Sequence, residues 1–309
     1  MTDSIRIRRS DGPVIADVAV PPSKSIANRA LICAALAEGE SEITGIAPGD
    51  DTAAMLDCLD RLGVPIAVSE RHGHLVGAVM GNAGQLPEGP ITLPTRLAGT
   101  TSRFITAVAS IGPGPYLVDG DPPLRARPMG PLHDSLIALG AHLEAGEQAG
   151  HLPVAVSGPL RGADGIVMPG NVSSQYVSAL MLIAPYIRRG LRLGLSTPLV
   201  SRPYVEITRS VMAAFGVDGV DLAERRIHVS EGGYFGTSYR VEPDASSASY
   251  PLAAAAMAGG AVCVRGLGSN ALQGDARFVD VLVEMGCTAT VSADDTVVMR
   301  RRDTPLRGI

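Results

Sequence analysis

Apolar residues recur at helical spacing over residues 25–37, stop at Gly39, and give way to the strand-like Glu42-Ile43-Thr44-Gly45-Ile46. Asp50-Asp51-Thr52 opens a second helical stretch that ends near Leu62, and residues 64–76 read as strand. The order returns later in the chain: a helix from Ser174, a strand over 191–195, a polar Ser201-Arg202-Pro203-Tyr204, a helix to Phe215 and further strands. The pattern predicts a unit of two helices and about four strands, mixed α+β rather than doubly wound. The first helix of each unit is rich in Ala and Gly, which allows close helix approach. Three such units predict a domain with helices inside and sheets outside.

Two markers set the period. Hydroxyl-rich helix starts occur at Ser23-Lys24-Ser25, Gly99-Thr100-Thr101-Ser102-Arg103, Asn171-Val172-Ser173-Ser174-Gln175 and Asp244-Ala245-Ser246-Ser247; Ser25, Ser102, Ser174 and Ser247 are 77, 72 and 73 residues apart. Helix ends read Leu62-Gly63-Val64, Leu139-Gly140-Ala141, Phe215-Gly216-Val217 and Met285-Gly286-Cys287, with glycines 77, 76 and 70 residues apart. A glycine just past a helical pattern signals a C-cap, because it takes the left-handed conformation without a Cβ clash. Markers in phase over such a period predict a duplicated supersecondary unit, four copies in all.

At 309 residues two domains are the default. Pro21-Pro22 and Glu242-Pro243 are the best boundaries, giving a first domain over 23–242 and a second built from 1–22 and 243–309. The strand expected over 5–20 would then belong with the part after 243. Apolar residues make up 46% and charged ones 18%, so cores are easily filled, from Ala, Val, Leu and Ile because aromatics are only 4%. The apolar run over 250–264 contains Pro251 and Gly259-Gly260, is too short for a membrane span, and reads as a buried helix entering a strand. Arg6, Arg8 and Arg9 precede no apolar segment, so no signal peptide is expected. Cys33, Cys58, Cys263 and Cys287 form no Cys-x-x-Cys pair and are expected as buried free thiols in a reducing cytoplasm. His72-Gly73-His74 is expected as a surface pair rather than a metal site.

A net charge of −5 offers no basic field for nucleic acid, so anion binding must be local. Helix starts supply it, since they carry unpaired N–H groups and partial positive charge. Lys24, Ser25 and Arg29 can share the first turns of one helix, where a point charge, a hydroxyl and a guanidinium fork suit a phosphate or carboxylate. Gly99 leaves backbone bare beside Arg103, and Arg127 stands before Pro128, which is read as opening a helix. Ser173, Ser174 and Gln175, with Ser201 and Tyr204, add hydroxyls and an amide. Together these favour a ligand with hydroxyls and at least one phosphate.

The segments 22–30 (Pro-Ser-Lys-Ser-Ile-Ala-Asn-Arg-Ala), 97–103, Arg127-Pro128-Met129, Ser173-Ser174-Gln175, Ser201-Arg202-Pro203-Tyr204, 244–250 and Gln273-Gly274-Asp275 resemble, in order along almost the whole chain, the 5-enolpyruvylshikimate-3-phosphate synthase family. The resemblance implies the two-domain enolpyruvyl transferase fold and transfer of enolpyruvyl from phosphoenolpyruvate to shikimate 3-phosphate, with release of phosphate. It implies that Lys24, Ser25, Arg29, Ser173, Ser174, Gln175, Ser201 and Tyr204 contact shikimate 3-phosphate. Lys24, Gly99, Arg127 and Gln175 would contact phosphoenolpyruvate, Lys24 being the electrostatic catalyst, and a methyl at Gly99 would intrude on mimics such as glyphosate. Leu97 stands where the family often has Asn. The resemblance further implies a cytoplasmic monomer with no cofactor, metal, nucleic acid or membrane partner.

The family has three repeats in each of two domains, whereas four are found here, and the chain ends at Gly308-Ile309. The family's later acceptor Asp, its Lys-Glu-x-Asp-Arg segment and its final Arg and Lys find no counterpart, Lys24 being the only lysine. A second domain short by roughly two repeats is therefore expected. Two alternatives stand beside the main reading. UDP-N-acetylglucosamine enolpyruvyl transferase would place a Cys in the loop occupied by Asp121-Pro122-Pro123-Leu124-Arg125, which has none. The other is a non-catalytic fragment that binds shikimate 3-phosphate without turnover.

Overall fold

The structure is a computed structural model describing residues 11–71 and 74–309. The chain opens with β1 (Val14–Val18), α1 (Lys24–Leu36), β2 (Glu38–Ile46), α2 (Asp50–Arg61), β3 (Ile66–Arg71) and β4 (His74–Asn82). Next come β5 (Glu88–Pro94), α3 (Gly99–Ala109), β6 (Gly114–Asp119), the short α4 (Pro122–Arg125), α5 (Gly130–Ala138), β7 (His142–Ala145) and β8 (Val154–Ser157). The third stretch holds β9 (Ile166–Met168), α6 (Ser174–Ile183), β10 (Leu191–Leu195), α7 (Arg202–Ala214), β11 (Val220–Leu222) and β12 (Arg226–Val229). The last holds β13 (Ser238–Arg240), α8 (Ala245–Ala258), β14 (Gly260–Val264), α9 (Phe278–Glu284), β15 (Thr288–Val291) and β16 (Thr296–Arg300).

Four four-stranded sheets share one topology: β13-β2-β4-β3, β5-β6-β8-β7, β9-β10-β12-β11 and β1-β14-β16-β15. In each, the first pair is parallel and the other two are antiparallel. The second and third sheets take their parallel edge from the strand just before the inner helix. The first and fourth exchange it: β1, just before α1, completes the fourth sheet, and β13, just before α8, completes the first. The chain accordingly divides into two compact units, one spanning Lys24–Val241 and one joining the described residues up to Ser23 to Glu242–Ile309.

The phased glycines are C-terminal stops of one kind. Gly63, Gly140, Gly216 and Gly286 all have positive φ, between 78° and 102°. The N–H of the following residue reaches back over the end of the helix, Val64 to Leu59 O, Ala141 to Leu136 O, Val217 to Met212 O and Cys287 to Leu282 O, at 3.0–3.1 Å. This is the Schellman geometry, and it explains why a residue without Cβ recurs there. The serine markers are less uniform. Ser173 and Asp244 accept bonds from the backbone N–H groups of Gln175 and Ser247 and are true side-chain caps. Ser102 instead lies inside α3, where its hydroxyl turns back to the Gly99 carbonyl at 2.9 Å.

Within Lys24–Val241 the inner helices are enclosed on all sides. Every residue of α1 from Ile26 to Leu36 is buried, as is every residue of α3 from Thr101 to Ala109, and α6 is buried but for Gln175. The outer helices bury one stripe only, as α2 does with Thr52, Ala54, Met55, Cys58 and Leu59. The fourth copy differs from the other three. In α8 only Ala245, Ala248, Leu252, Ala255 and Ala256 are buried, while Tyr250 and Met257 are 79% and 76% exposed.

Other local expectations shift in detail. Residues 64–76 fall into two strands, β3 and β4. Cys263 is half-buried, unlike the other three thiols. Residues 5–10 of the N-terminal strand, with Arg6, Arg8 and Arg9, and His72-Gly73 of the histidine pair lie outside the described residues. Among the described residues no helix is long and apolar enough to cross a membrane.

Candidate active site

The first turns of α1 and α6, with the residues leading into α7, line a cavity of about 340 Å³. Its walls are Ser25, Arg29, Thr100, Val172, Ser173, Ser174, Gln175, Val200, Ser201 and Tyr204. Seven residues singled out from sequence thus meet in one place, although Ser25 and Ser201 are far apart in the chain. Helix geometry presents them. Ser173 caps α6, so Ser174 and Gln175 sit at its exposed N–H end. Ser201 takes a left-handed conformation (φ 54°, ψ 45°) at the N-cap of α7, with Pro203 in its first turn. Thr100, Val172 and Val200 were not expected as lining residues.

Arg29 is 1% exposed, so it is a floor of the cavity rather than a solvated arm. Its Nε donates to Thr208 Oγ1 (2.7 Å), Nη1 to the Ser25 carbonyl (2.6 Å), and Nη2 to Ser178 Oγ (3.2 Å) and the Tyr204 carbonyl (3.3 Å). Four of its five N–H groups are committed, leaving one on Nη1. Its carbon centre lies 5.3 Å from the Phe104 ring centroid and 6.0 Å from that of Tyr204, favourable to a desolvated cation. Burial brings its pKa down to about 10, and it stays charged at neutral pH.

A second polar region borders Thr100. A Cβ built on Gly99 would lie 2.9 Å from Arg103 Nη1 and 3.0 Å from Arg127 Nη1, so two guanidinium groups converge on this glycine. Arg103 is buried and donates from Nη1 to the Gly99 carbonyl at 2.8 Å and to Ser102 Oγ at 3.1 Å. Its pKa is lowered, first by burial, while Tyr176 opposes the shift and the charge of Arg127 adds to it. Among the described residues neither Arg103 nor Arg127 forms an ion pair. Two adjacent cations without an ion-pair partner concentrate positive charge beside Gly99. The neighbouring Arg125 differs, being held by Asp119 at 2.7 Å and Glu147 at 3.5 Å.

One expectation about this region changes, and Lys24 stands apart from the lining. Pro128 does not open a helix: Met129 is the N-cap of α5, and Pro131 occupies its first turn. Lys24 is not a wall of the cavity; it is half-exposed and forms an ion pair with Asp51 in the first turn of α2. Asp51 is in turn tied to α3, its carbonyl accepting from Thr101 Oγ1 at 3.2 Å. Gln175 bridges the regions, its Nε2 donating to Thr100 Oγ1 at 3.3 Å. The fourth copy has no such array, since Gln273 Nε2 bonds Glu242 and the Pro243 carbonyl and Ser246 bonds Asp275.

The chain is similar to known proteins over nearly its full length. The family model for EPSP synthase (3-phosphoshikimate 1-carboxyvinyltransferase) matches residues 9–309. A 3-phosphoshikimate 1-carboxyvinyltransferase from Nostoc sp. (strain PCC 7120) is 39% identical over 299 residues, which cover 96% of this chain and 70% of that protein. Another from Methanoculleus marisnigri is 40% identical over 300 residues, covering 96% and 69%. A solved EPSP synthase from Acinetobacter baumannii superposes with a TM-score of 0.80 at 24% identity, over 95% of this chain and 67% of that one, a likeness of fold alone.

Proposed function

Because the chain belongs to the EPSP synthase (3-phosphoshikimate 1-carboxyvinyltransferase) family, with its α+β enolpyruvyl transferase fold, we propose that its cavity and arginine pair serve the carboxyvinyl transfer of that family. The acceptor is shikimate 3-phosphate and the donor phosphoenolpyruvate. The acceptor hydroxyl adds to C2 of phosphoenolpyruvate as C3 gains a proton. The tetrahedral adduct then loses phosphate and a C3 proton, which restores the double bond. Ser173, Ser174, Gln175, Ser201, Tyr204 and Ser25 bind the hydroxyls and phosphate of the acceptor, with the one uncommitted N–H of Arg29. Arg127 takes the donor's anionic groups, and Gly99 leaves room for them. Lys24 leaves Asp51 to reach both substrates. On this reading the protein works in the cytoplasm as a monomer, without metal or cofactor.

The observation that supports this most is the cavity itself, where residues from three separate repeats converge as an anion- and hydroxyl-binding wall. Residues 121–125 hold no cysteine, which speaks against the UDP-N-acetylglucosamine reading. One observation favours binding without turnover as the second reading: among the described residues no carboxylate lines the cavity, and the acceptor proton needs a base. Phosphate release from phosphoenolpyruvate plus shikimate 3-phosphate, measured beside shikimate 3-phosphate binding by calorimetry, separates the two. Phosphate release supports transfer, binding alone supports the second reading, and no binding refutes both.

A further inference from the structure

Tyr176 follows Gln175 in the first turn of α6 and is 2% exposed. Its hydroxyl donates to the carbonyl of Pro128, the residue after Arg127. The Arg103 guanidinium lies beside the same hydroxyl, so the oxygen can accept from the arginine while its proton goes to the carbonyl. The other ties on this segment are from backbone: Arg127 N–H to the Leu124 carbonyl at 3.0 Å and Met129 N–H to the Gly150 carbonyl at 2.7 Å. Arg127 also stands against a like charge on Arg103, which pushes the two heads apart unless their backbones are fixed. Tyr176 therefore ties the arginine segment to the helix whose N-terminal residues line the cavity.

We infer that Tyr176 is a positioning residue for Arg127: through the Pro128 carbonyl it holds the donor-binding guanidinium beside Gly99, and it carries that constraint from the acceptor-binding turn of α6. The inference rests on the proposed assignment of Arg127 to phosphoenolpyruvate. It also gives Gln175 and Tyr176 complementary tasks on one helical turn, Gln175 reaching Thr100 by its amide and Tyr176 reaching Pro128 by its hydroxyl.

The test uses the full chain and its Tyr176→Phe variant, which keeps the ring and removes only the hydroxyl. Shikimate 3-phosphate is titrated alone, and phosphoenolpyruvate is titrated at saturating shikimate 3-phosphate. Tyr176→Phe should weaken phosphoenolpyruvate about tenfold, as expected when loss of one buried hydrogen bond loosens Arg127, with shikimate 3-phosphate changed by less than about twofold. In an Arg127→Ala background the same substitution should add nothing, because its effect passes through Arg127. An equal loss of both ligands, an undiminished effect without Arg127, or no effect at all overturns the inference. Wild-type chain that binds neither ligand refutes the functional reading beneath it, and the inference with it.

Discussion

The two polar regions of the Lys24–Val241 unit are built on opposite principles. In the cavity the cation is held by hydrogen bonds: Arg29 is buried, four of its N–H groups are spoken for, and the remaining wall is hydroxyls, an amide and helix N–H groups. At Gly99 two cations stand side by side: Arg103 is buried and bonded to the Gly99 carbonyl and Ser102 Oγ, and among the described residues neither it nor Arg127 forms an ion pair. The first arrangement offsets the desolvation of its cation with fixed hydrogen bonds. The second stores like-charge repulsion between Arg103 and Arg127. Counting donors thus groups Arg103 with Arg29 as cations committed to the fold and sets Arg127 apart from both.

Substitutions should separate them. Arg29→Met removes four hydrogen bonds from a buried site, so stability should fall by about 3 kcal/mol or more, read as a lowered urea midpoint. Arg127→Ala should leave stability within about 0.5 kcal/mol of wild type yet weaken phosphoenolpyruvate roughly a hundredfold. Calorimetry should show shikimate 3-phosphate little changed. If Arg127→Ala weakens both ligands alike, the division into acceptor and donor sides is wrong.

The scaffold beneath the arginine segment carries a pH dependence. His133 on α5 is buried with Nε2 unpartnered, and burial pulls its pKa down to about 4, against a small opposing effect of Asp134. The unfolded chain therefore binds this proton first as pH falls. The associated stability is complete above about pH 6.5 and is lost between there and pH 4, by roughly 3 kcal/mol. His133→Gln should flatten that slope in urea titrations at several pH values. Smaller effects close the series. Gly99→Ala should crowd both guanidinium groups and weaken phosphoenolpyruvate about tenfold at unchanged shikimate 3-phosphate affinity. Ser173→Ala removes the α6 cap, lowering stability by about 1 kcal/mol and weakening the acceptor rather than the donor.

Much of this was legible along the chain. The glycine stops were, because a Schellman ending imposes a local requirement that one residue type meets. The lining serines were, because helix starts announce themselves within a few residues. The burial of Arg29 was not, since its partners Ser178 and Thr208 lie in another repeat and nothing local distinguishes them from surface hydroxyls. The convergence of Arg103 and Arg127 on Gly99 depends on a loop and a helix that meet only after folding. Tyr176 sits in an apolar helical stretch, and its hydroxyl carries no signal until Pro128 stands opposite. The apolar composition of α8 suggested burial, but composition shows only that a helix tolerates being covered; α1 is enclosed by two sister helices and sheets, and Met257 in α8 is open to solvent.

The exchange of β1 and β13 gives the chain the anatomy of an inserted cassette. The segment from Lys24 to Val241 starts after Ser23 and ends before Glu242, and the Ser23 N–H bonds the Glu242 carbonyl at 2.9 Å while Pro22 bridges Pro243. Entry and exit are therefore neighbours, and β13 leaves the first sheet of the cassette complete without any strand from before Lys24. Such a segment could be excised at this neck, closed by a short linker, or moved into another host loop with its cavity and arginine pair intact.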